Sequence, residues 1–534
     1  MPVLFCRCGS RIGETSILAA KRSRLRNGIF RSEPDCVSLR MTNRALQPKI
    51  APLKRPQFKF AVAAIAVLST ASVPVVAAMS AAPSRHVILV VSDGMRPDFV
   101  TEKYTPTLDK LAHDGVRFRN HHSIYPTATD VNGAALATGC YPNKNGICAN
   151  LEYRPTINPR QPVDISDPEV IRRGDEISGG KHLLAPTFPE LLRAAGKKVA
   201  IVGTKSVAIL FDRHNEWTVL RMRNKPLTIF AGAPINVAQR DEVIKLLGPF
   251  ADAPEATAKQ RNDFATRALT EFLWRDGVPD FSLLWLSEPD LSEHNYAPGS
   301  PQAIAAIKNV DANLATVLSA LDAKHVRDST DVLFVSDHGF STIRRSIDIA
   351  ALLNAAGFHA FKELPEVSKP GDILVVGNAG TVLFYVENHD RAVTQRLVDW
   401  LQHSDFVDVI FSREGLPGTS HLNDADRNVR IDTQAAPDVV SAFRWSDEKN
   451  QFGVPGMIDA DWNRKAGEGT HATLSSYDIH NTLVACGPDF RSGSEYEPAS
   501  SNIDIAPTIL RVLGVSAPRE VDGRVLSEDA SKRQ

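Results

Sequence analysis

The sequence predicts an α/β fold: a mostly parallel sheet flanked by helices on both faces, with a smaller inserted α+β subdomain. Apolar runs at His86–Ser92, Val199–Gly203, Phe281–Leu286 and Val332–Val335 are continuous, as in strands covered on both sides. Helical patterns alternate with these runs, as crossover connections between parallel strands require. A chain of 534 residues with 43% hydrophobic content is long enough for a large core that carries an insertion.

The first recognisable segment lies outside that fold. Phe60–Met79 is nearly uncharged, follows Lys54, Arg55 and Lys59, and is succeeded by small residues. This is the pattern of a signal peptide, with cleavage after Ala78, Ser80 or Ala82. Residues 41–82 are therefore expected to direct export, making the protein periplasmic or secreted; left uncleaved, the leader would anchor it in a membrane. A signal rarely begins ~60 residues before its apolar core. Residues 1–40 accordingly read as a non-native upstream extension, with Met41 the better start.

The core follows. After His86–Ser92, Thr105 and Pro106 open a helix through Leu108, Leu111 and Ala112 that stops at Gly115. Thr187–Ala195 is a second helix, ended by Gly196. Residues 205–280 are less regular and read as cap-like. A helix with Ile304, Ile307, Leu314, Val317, Leu318 and Leu321 near one face joins the last two core strands. Residues 83–339 thus form the first part of the core and 340–465 the inserted subdomain. In the insertion, Asp372–Val376 and Thr381–Val386 suggest an antiparallel pair, Arg391–His403 a helix and Asp438–Trp445 a strand, with Asn423–Pro437 as loop. Residues 466–534 return to the core through a strand at Thr482–Cys486 and a helix at Ile505–Leu513.

Lys+Arg 61 against Asp+Glu 62 gives a formal net charge of -1. That balance gives no reason to expect nucleic acid or an acidic membrane as a partner. Cys140, Cys148 and Cys486 lie in the body. Cys140 and Cys148 flank a turn-rich stretch and read equally as a small disulfide loop or as free buried thiols. None has the CxxC spacing of a cysteine-bound metal.

The chemistry-bearing residues are dispersed. Asp93, Asp290, Asp337 and His338 each follow an apolar strand, where active sites of parallel sheets gather. Asp337 and His338 are adjacent in a loop closed by Gly339. Asp290 and His294 are four apart, on one face of a helical turn. His471 sits in a flexible Gly-Thr-His entry. Three carboxylates and three imidazoles are the donors zinc accepts. With Thr129 among them they can hold two zinc ions, which about 4 Å apart would clamp the attacking and leaving oxygens of a phosphate ester.

The segments VVSDGMRPD around Asp93, YPTATDVNGAALATGCYPNKNGI around Thr129, EPDLSEH, VSDHG and GTH occur in a telling order. Over roughly residues 86–525 the chain resembles the nucleotide pyrophosphatase/phosphodiesterase (type I phosphodiesterase) family of the alkaline phosphatase superfamily. The resemblance implies an alkaline-phosphatase-like sheet, two zinc ions and hydrolysis of a phosphodiester or pyrophosphate bond through a covalent threonyl-phosphate. It implies Thr129 as nucleophile, with Thr127 the competing hydroxyl. Asp93, Asp337 and His338 would share the nucleophile's zinc, and Asp290, His294 and His471 would hold the other. Asn132 would hydrogen-bond a phosphate oxygen.

Departures bear on substrate. Asp130 stands where the family commonly has an aromatic residue, Val131 replaces proline, Gly133 histidine, and Glu293 a common glycine. Tyr125 and Tyr296 are alternative stacking faces. NGICAN and GTK also resemble phosphonoacetate hydrolases, in which case Lys205 would grip a substrate carboxylate. No arginine beside Thr129 supports a phosphomonoesterase, and no Cys/Ser-Pro-x-Arg pattern a sulfatase. A metal-binding module without turnover is the alternative of a different class. The expected partner is a small phosphodiester, pyrophosphate or phosphonate.

Overall fold

Four parallel strands, Thr330–Val335, His86–Ser92, Phe281–Leu286 and Val199–Gly203, lie side by side in that order at the centre of a nine-stranded sheet. The computed structural model describes residues 85–526 apart from 212, 214–218, 223–224, 231–236, 249–256, 425 and 491–492. The upstream extension and the signal peptide fall outside the described residues.

Alternation along each central strand explains the layering. Ile88 and Val90 face one core with Leu284, Leu286, Val332 and Phe334, beneath Leu108 and Leu111 and the Pro301–Ala323 helix. Val87, Leu89 and Val91 face the other with Leu283, Trp285 and Val335, covered by Phe188, Leu192, Ile505 and Ile509. Both faces are therefore dry, which is why the strands read as unbroken apolar runs. Helix Pro301–Ala323 is long and apolar enough to cross a membrane, but Ile307, Val310, Leu314, Val317 and Leu321 are buried against the sheet.

The sheet becomes mixed at its margins. Leu483–Cys486 joins antiparallel beyond Thr330–Val335, and Lys225–Phe230 and Val219–Met222 extend the opposite edge. Residues 205–280, expected to be cap-like, supply these two edge strands. This segment lengthens the central sheet, and Phe264, Leu269, Phe272 and Trp274 complete one of its cores.

A second sheet of six strands is built from the insertion, with Ile373–Asn378 antiparallel to Thr381–Val386 and Val439–Phe443 beside the latter. The Arg391–Gln402 helix covers one face through Leu397, Val398 and Leu401. Within the expected loop Asn423–Pro437, Asn423–Asp424 and Val429–Arg430 form a short ladder. Cys140, Cys148 and Cys486 are free and buried, so no disulfide closes the 140–148 loop. Cys148 lies in the apolar cluster of the second sheet, whereas Cys140 turns toward the carbonyls of Thr138 and Glu520.

Candidate metal centre and active site

All four central strands deliver site residues from their carboxyl ends. Asp93 follows Ser92, Lys205 follows Gly203 and Thr204, Asp290 opens a short helix after Leu286, and Asp337 and His338 follow Val335. The return from the insertion brings His471. Thr129 is the first residue of the Thr129–Thr138 helix, and the amino end of a helix favours an anion.

Two glycines permit the approach. A Cβ on Gly339 would lie 2.1 Å from the Tyr477 carbonyl oxygen, and one on Gly469 would lie 2.3 Å from that of Glu293. Close contact, rather than unusual backbone freedom, is what each position requires.

The six expected ligands meet around Thr129. Asp93, Asp337 and His338 form one compact donor group; Asp290, His338 and His471 form another. His338 thus stands between them. His294 joins the second through Asp290, its Nε2 lying 3.2 Å from Asp290 Oδ1. Thr129 Oγ1 is 3.2 Å from His338 Nε2. The His338 and His471 rings stack with centroids 3.6 Å apart.

The tautomers are fixed from behind. Nδ1–H of His294 donates to the Gly469 carbonyl at 2.9 Å, that of His338 to Gly339 at 2.8 Å and that of His471 to Thr127 at 2.7 Å. Each Nε2 is left as a lone pair turned toward the carboxylates, the arrangement that orients imidazole ligands. Burial pushes all three imidazoles below their ordinary pKa, most strongly His471. At His294 the nearby Arg464 guanidinium works in the same direction.

The carboxylates carry charge that the chain alone balances incompletely. Burial, with Asp337 beside it, pushes Asp93 well above the usual range, and burial lifts Asp337 to about 7. Burial would raise Asp290 too, but His294, Lys205 and His471 hold it well below. Asp290 Oδ1 and Asp337 Oδ2 are buried without a hydrogen-bond partner among the described residues. Lys205 Nζ enters the cluster, 2.8 Å from Asp93 Oδ1, 2.7 Å from Asp290 Oδ2 and 3.4 Å from Thr129 Oγ1. Orphaned carboxylate oxygens, oriented Nε2 lone pairs and an ammonium drawn among them fit a cation site of oxygen and nitrogen donors.

Several expected roles change. Thr127 is buried and its hydroxyl donates to the Thr473 carbonyl at 3.1 Å. Asn132 is corrected from phosphate contact to scaffold. It is fully buried, its Oδ1 accepts from Ile124 N and Asn502 Nδ2, and its amide donates to the carbonyls of Ile124, Pro126 and Ala128. No donor remains for substrate.

Asn150, which the sequence reading missed, is the better placed amide. Its Oδ1 accepts from Asp130 N at 2.8 Å, turning its side chain to the Thr129 helix, and it lines a cavity with His294 and His471. The only signal was the NGICAN segment that ends on it. Lys205 is not a solvated lysine: its ammonium lies between Asp93 and Asp290. Tyr125 is packed against Phe411 with its hydroxyl on Thr381, whereas Tyr296 is exposed. Glu293 is buried with no hydrogen bond to either carboxyl oxygen among the described residues, and burial raises it well above the usual range.

A family model described as Type I phosphodiesterase / nucleotide pyrophosphatase matches residues 87–468. The chain belongs to that family. It is accordingly an enzyme of the phosphoric diester hydrolase and nucleotide pyrophosphatase class. Among its relatives, ectonucleotide pyrophosphatase/phosphodiesterase family member 7 of Rattus norvegicus is 22% identical over 443 residues, covering 82% of this chain and 85% of the relative. Venom phosphodiesterase 2 of Crotalus adamanteus is 26% identical over 263 residues, 48% of this chain and 27% of the venom protein. Murine ectonucleotide pyrophosphatase/phosphodiesterase 5, solved as an inactive variant in complex with AMP, superposes with a TM-score of 0.57 at 16% identity, covering 81% of this chain and 96% of that one. That likeness establishes the alkaline-phosphatase-like fold.

Proposed function

We propose that the protein is a zinc-dependent hydrolase of phosphodiester or pyrophosphate bonds that works through a covalent threonyl-phosphate on Thr129. The observation that carries this reading is the convergence of three Nε2-presenting imidazoles and three buried carboxylates around one hydroxyl. Asp93, Asp337 and His338 would hold one zinc ion, and Asp290, His294 and His471 the other. Two zinc ions there would lower the hydroxyl's pKa and offset phosphate charge.

The chain's own groups do the rest. Thr129 gives its hydroxyl proton to water as Oγ forms the bond to phosphorus; the bond to the leaving oxygen breaks, and that oxygen takes up a proton from water, so no net proton is lost. The amino end of the Thr129 helix and the Asn150 amide steady the non-bridging oxygens. Water then cleaves the threonyl-phosphate and restores the hydroxyl. Export through residues 41–82, and a small nucleotide-like substrate, belong to the same reading; a structural relative's complex with AMP supports the latter.

The test combines metal analysis with Thr129→Ala on a chromogenic phosphodiester. The expected outcome is about two zinc ions per chain in both proteins and a loss of at least ~10³-fold in kcat in the variant. Cleavage that survives the substitution would remove Thr129 as nucleophile. Zinc retained without any Thr129-dependent turnover would favour the binding module.

A further inference from the structure

The donor cluster opens sideways into a cavity of about 260 Å³ that has His294 and His471 in one wall and Asn150, Asn378 and Arg464 in others. The far side belongs to the insertion and to the loop that leaves it. That loop is fixed from inside. Asp461 is buried, and its carboxylate accepts from Ala379 N at 2.8 Å, Asn463 N at 3.0 Å and Asn463 Nδ2 at 2.9 Å. Asn378 is likewise tied at both ends of its amide to the Leu151 backbone, at 2.8 and 3.0 Å.

Arg464 differs from these neighbours. It is half-buried, and its guanidinium makes no hydrogen bond or ion pair among the described residues. Both oxygens of Asp461, the acid closest in sequence, are taken by other donors. A guanidinium presents five donors in a rigid fork, and its best acceptors are carboxylate and phosphate. Half-buried in the wall of the cavity that His294 and His471 also line, the Arg464 guanidinium suits an anion.

We infer that Arg464 recognises a second anionic group of the substrate, a phosphate or a carboxylate a few bonds from the phosphorus at Thr129, so that the enzyme prefers pyrophosphates or carboxylated phosphonates to singly charged diesters. The inference rests on the reading of Thr129 and its donors as the phosphoryl site. It gives the insertion a chemical task, since the loop that leaves it carries the selecting charge.

The experiment measures binding of phosphate, pyrophosphate, methylphosphonate and phosphonoacetate to the zinc-loaded full chain by calorimetry. Wild type is compared with Arg464→Ala, Arg464→Gln and Arg464→Lys. A charge-assisted contact predicts that pyrophosphate or phosphonoacetate binds wild type at least ~10-fold tighter than its single-anion partner. In the Ala and Gln variants that preference should fall to about 2-fold or less, with phosphate affinity within about 2-fold of wild type; Lys should restore part of it. The arm that loses more identifies the group as phosphate or carboxylate. A preference that survives Ala and Gln, or phosphate binding that weakens in step with pyrophosphate, overturns the inference alone. A wild type that binds none of the four anions overturns the phosphoryl site together with it.

Discussion

Every polar atom of the Asn132 side chain bonds to protein, whereas Asn150 has one side of its amide on Asp130 N and the other toward the cavity. The two substitutions should therefore separate stability from catalysis. Asn132→Ala strands buried backbone groups, each worth about 1–3 kcal/mol, and its effect should appear as a lower urea midpoint. Asn150→Ala removes the amide proposed to steady the phosphate. It should lower kcat about 100-fold while costing about 1 kcal/mol of stability. The measurement is paired denaturation and steady-state kinetics on both variants; matching kinetic losses would refute the division of roles. Sequence could not make this distinction. Both asparagines lie in polar, turn-rich surroundings, and which amide is already engaged depends on Asn502, a residue contributed from the far end of the chain.

Between residue and fold, the short helix Asp290–Tyr296 and the strand Gly469–Thr470 act as one unit. His294 Nδ1–H donates to the Gly469 carbonyl, and Gly469 has no room for a Cβ against the Glu293 carbonyl oxygen. Gly469→Ala should push the two apart, costing about 1–3 kcal/mol and moving His294 and His471 together. Zinc affinity measured against a chelator should fall at least ~10-fold, as loss of ligand support commonly does. Unchanged affinity would mean that the contact does not position the ligands. This level was only partly legible. The candidate ligands could be read because each of four follows an unbroken apolar strand. Gly469 looked merely flexible, since a close backbone approach leaves no periodic trace. The Lys225–Phe230 strand was hidden for a related reason: Lys225 and Pro226 interrupt its apolar run, and a proline demotes a run from central-strand status.

At the scale of the whole molecule, the parallel centre was legible because both its faces are dry, while the mixed margins depend on pairings between segments remote in sequence. One such margin sets a pH dependence. Asp331 is fully buried beside the edge loop of Asp489, with Arg85 3.7 Å away, and Oδ2 has no hydrogen-bond partner among the described residues. Burial lifts its carboxyl to about 7, against the pull of Arg85 and Arg327. Between about pH 4 and 7 the folded chain retains a proton that the unfolded chain has released. This contribution to stability is fully present below the unfolded pKa and is lost as pH rises through about 7, at up to about 1.4 kcal/mol per pH unit. His121 opposes it. Burial holds its imidazole down to about 3, so stability from this group falls as pH drops below about 6.5. Asp331→Asn isolates the first contribution, because an amide keeps an acceptor for Asp489 N and does not titrate. Urea midpoints from pH 5 to 8 should decline less steeply in the variant than in the wild type, the two curves diverging up to about pH 7 and running parallel above it. Curves parallel throughout would show that Asp331 is ionised in the folded protein across the range, and that Arg85 and Arg327 outweigh its burial.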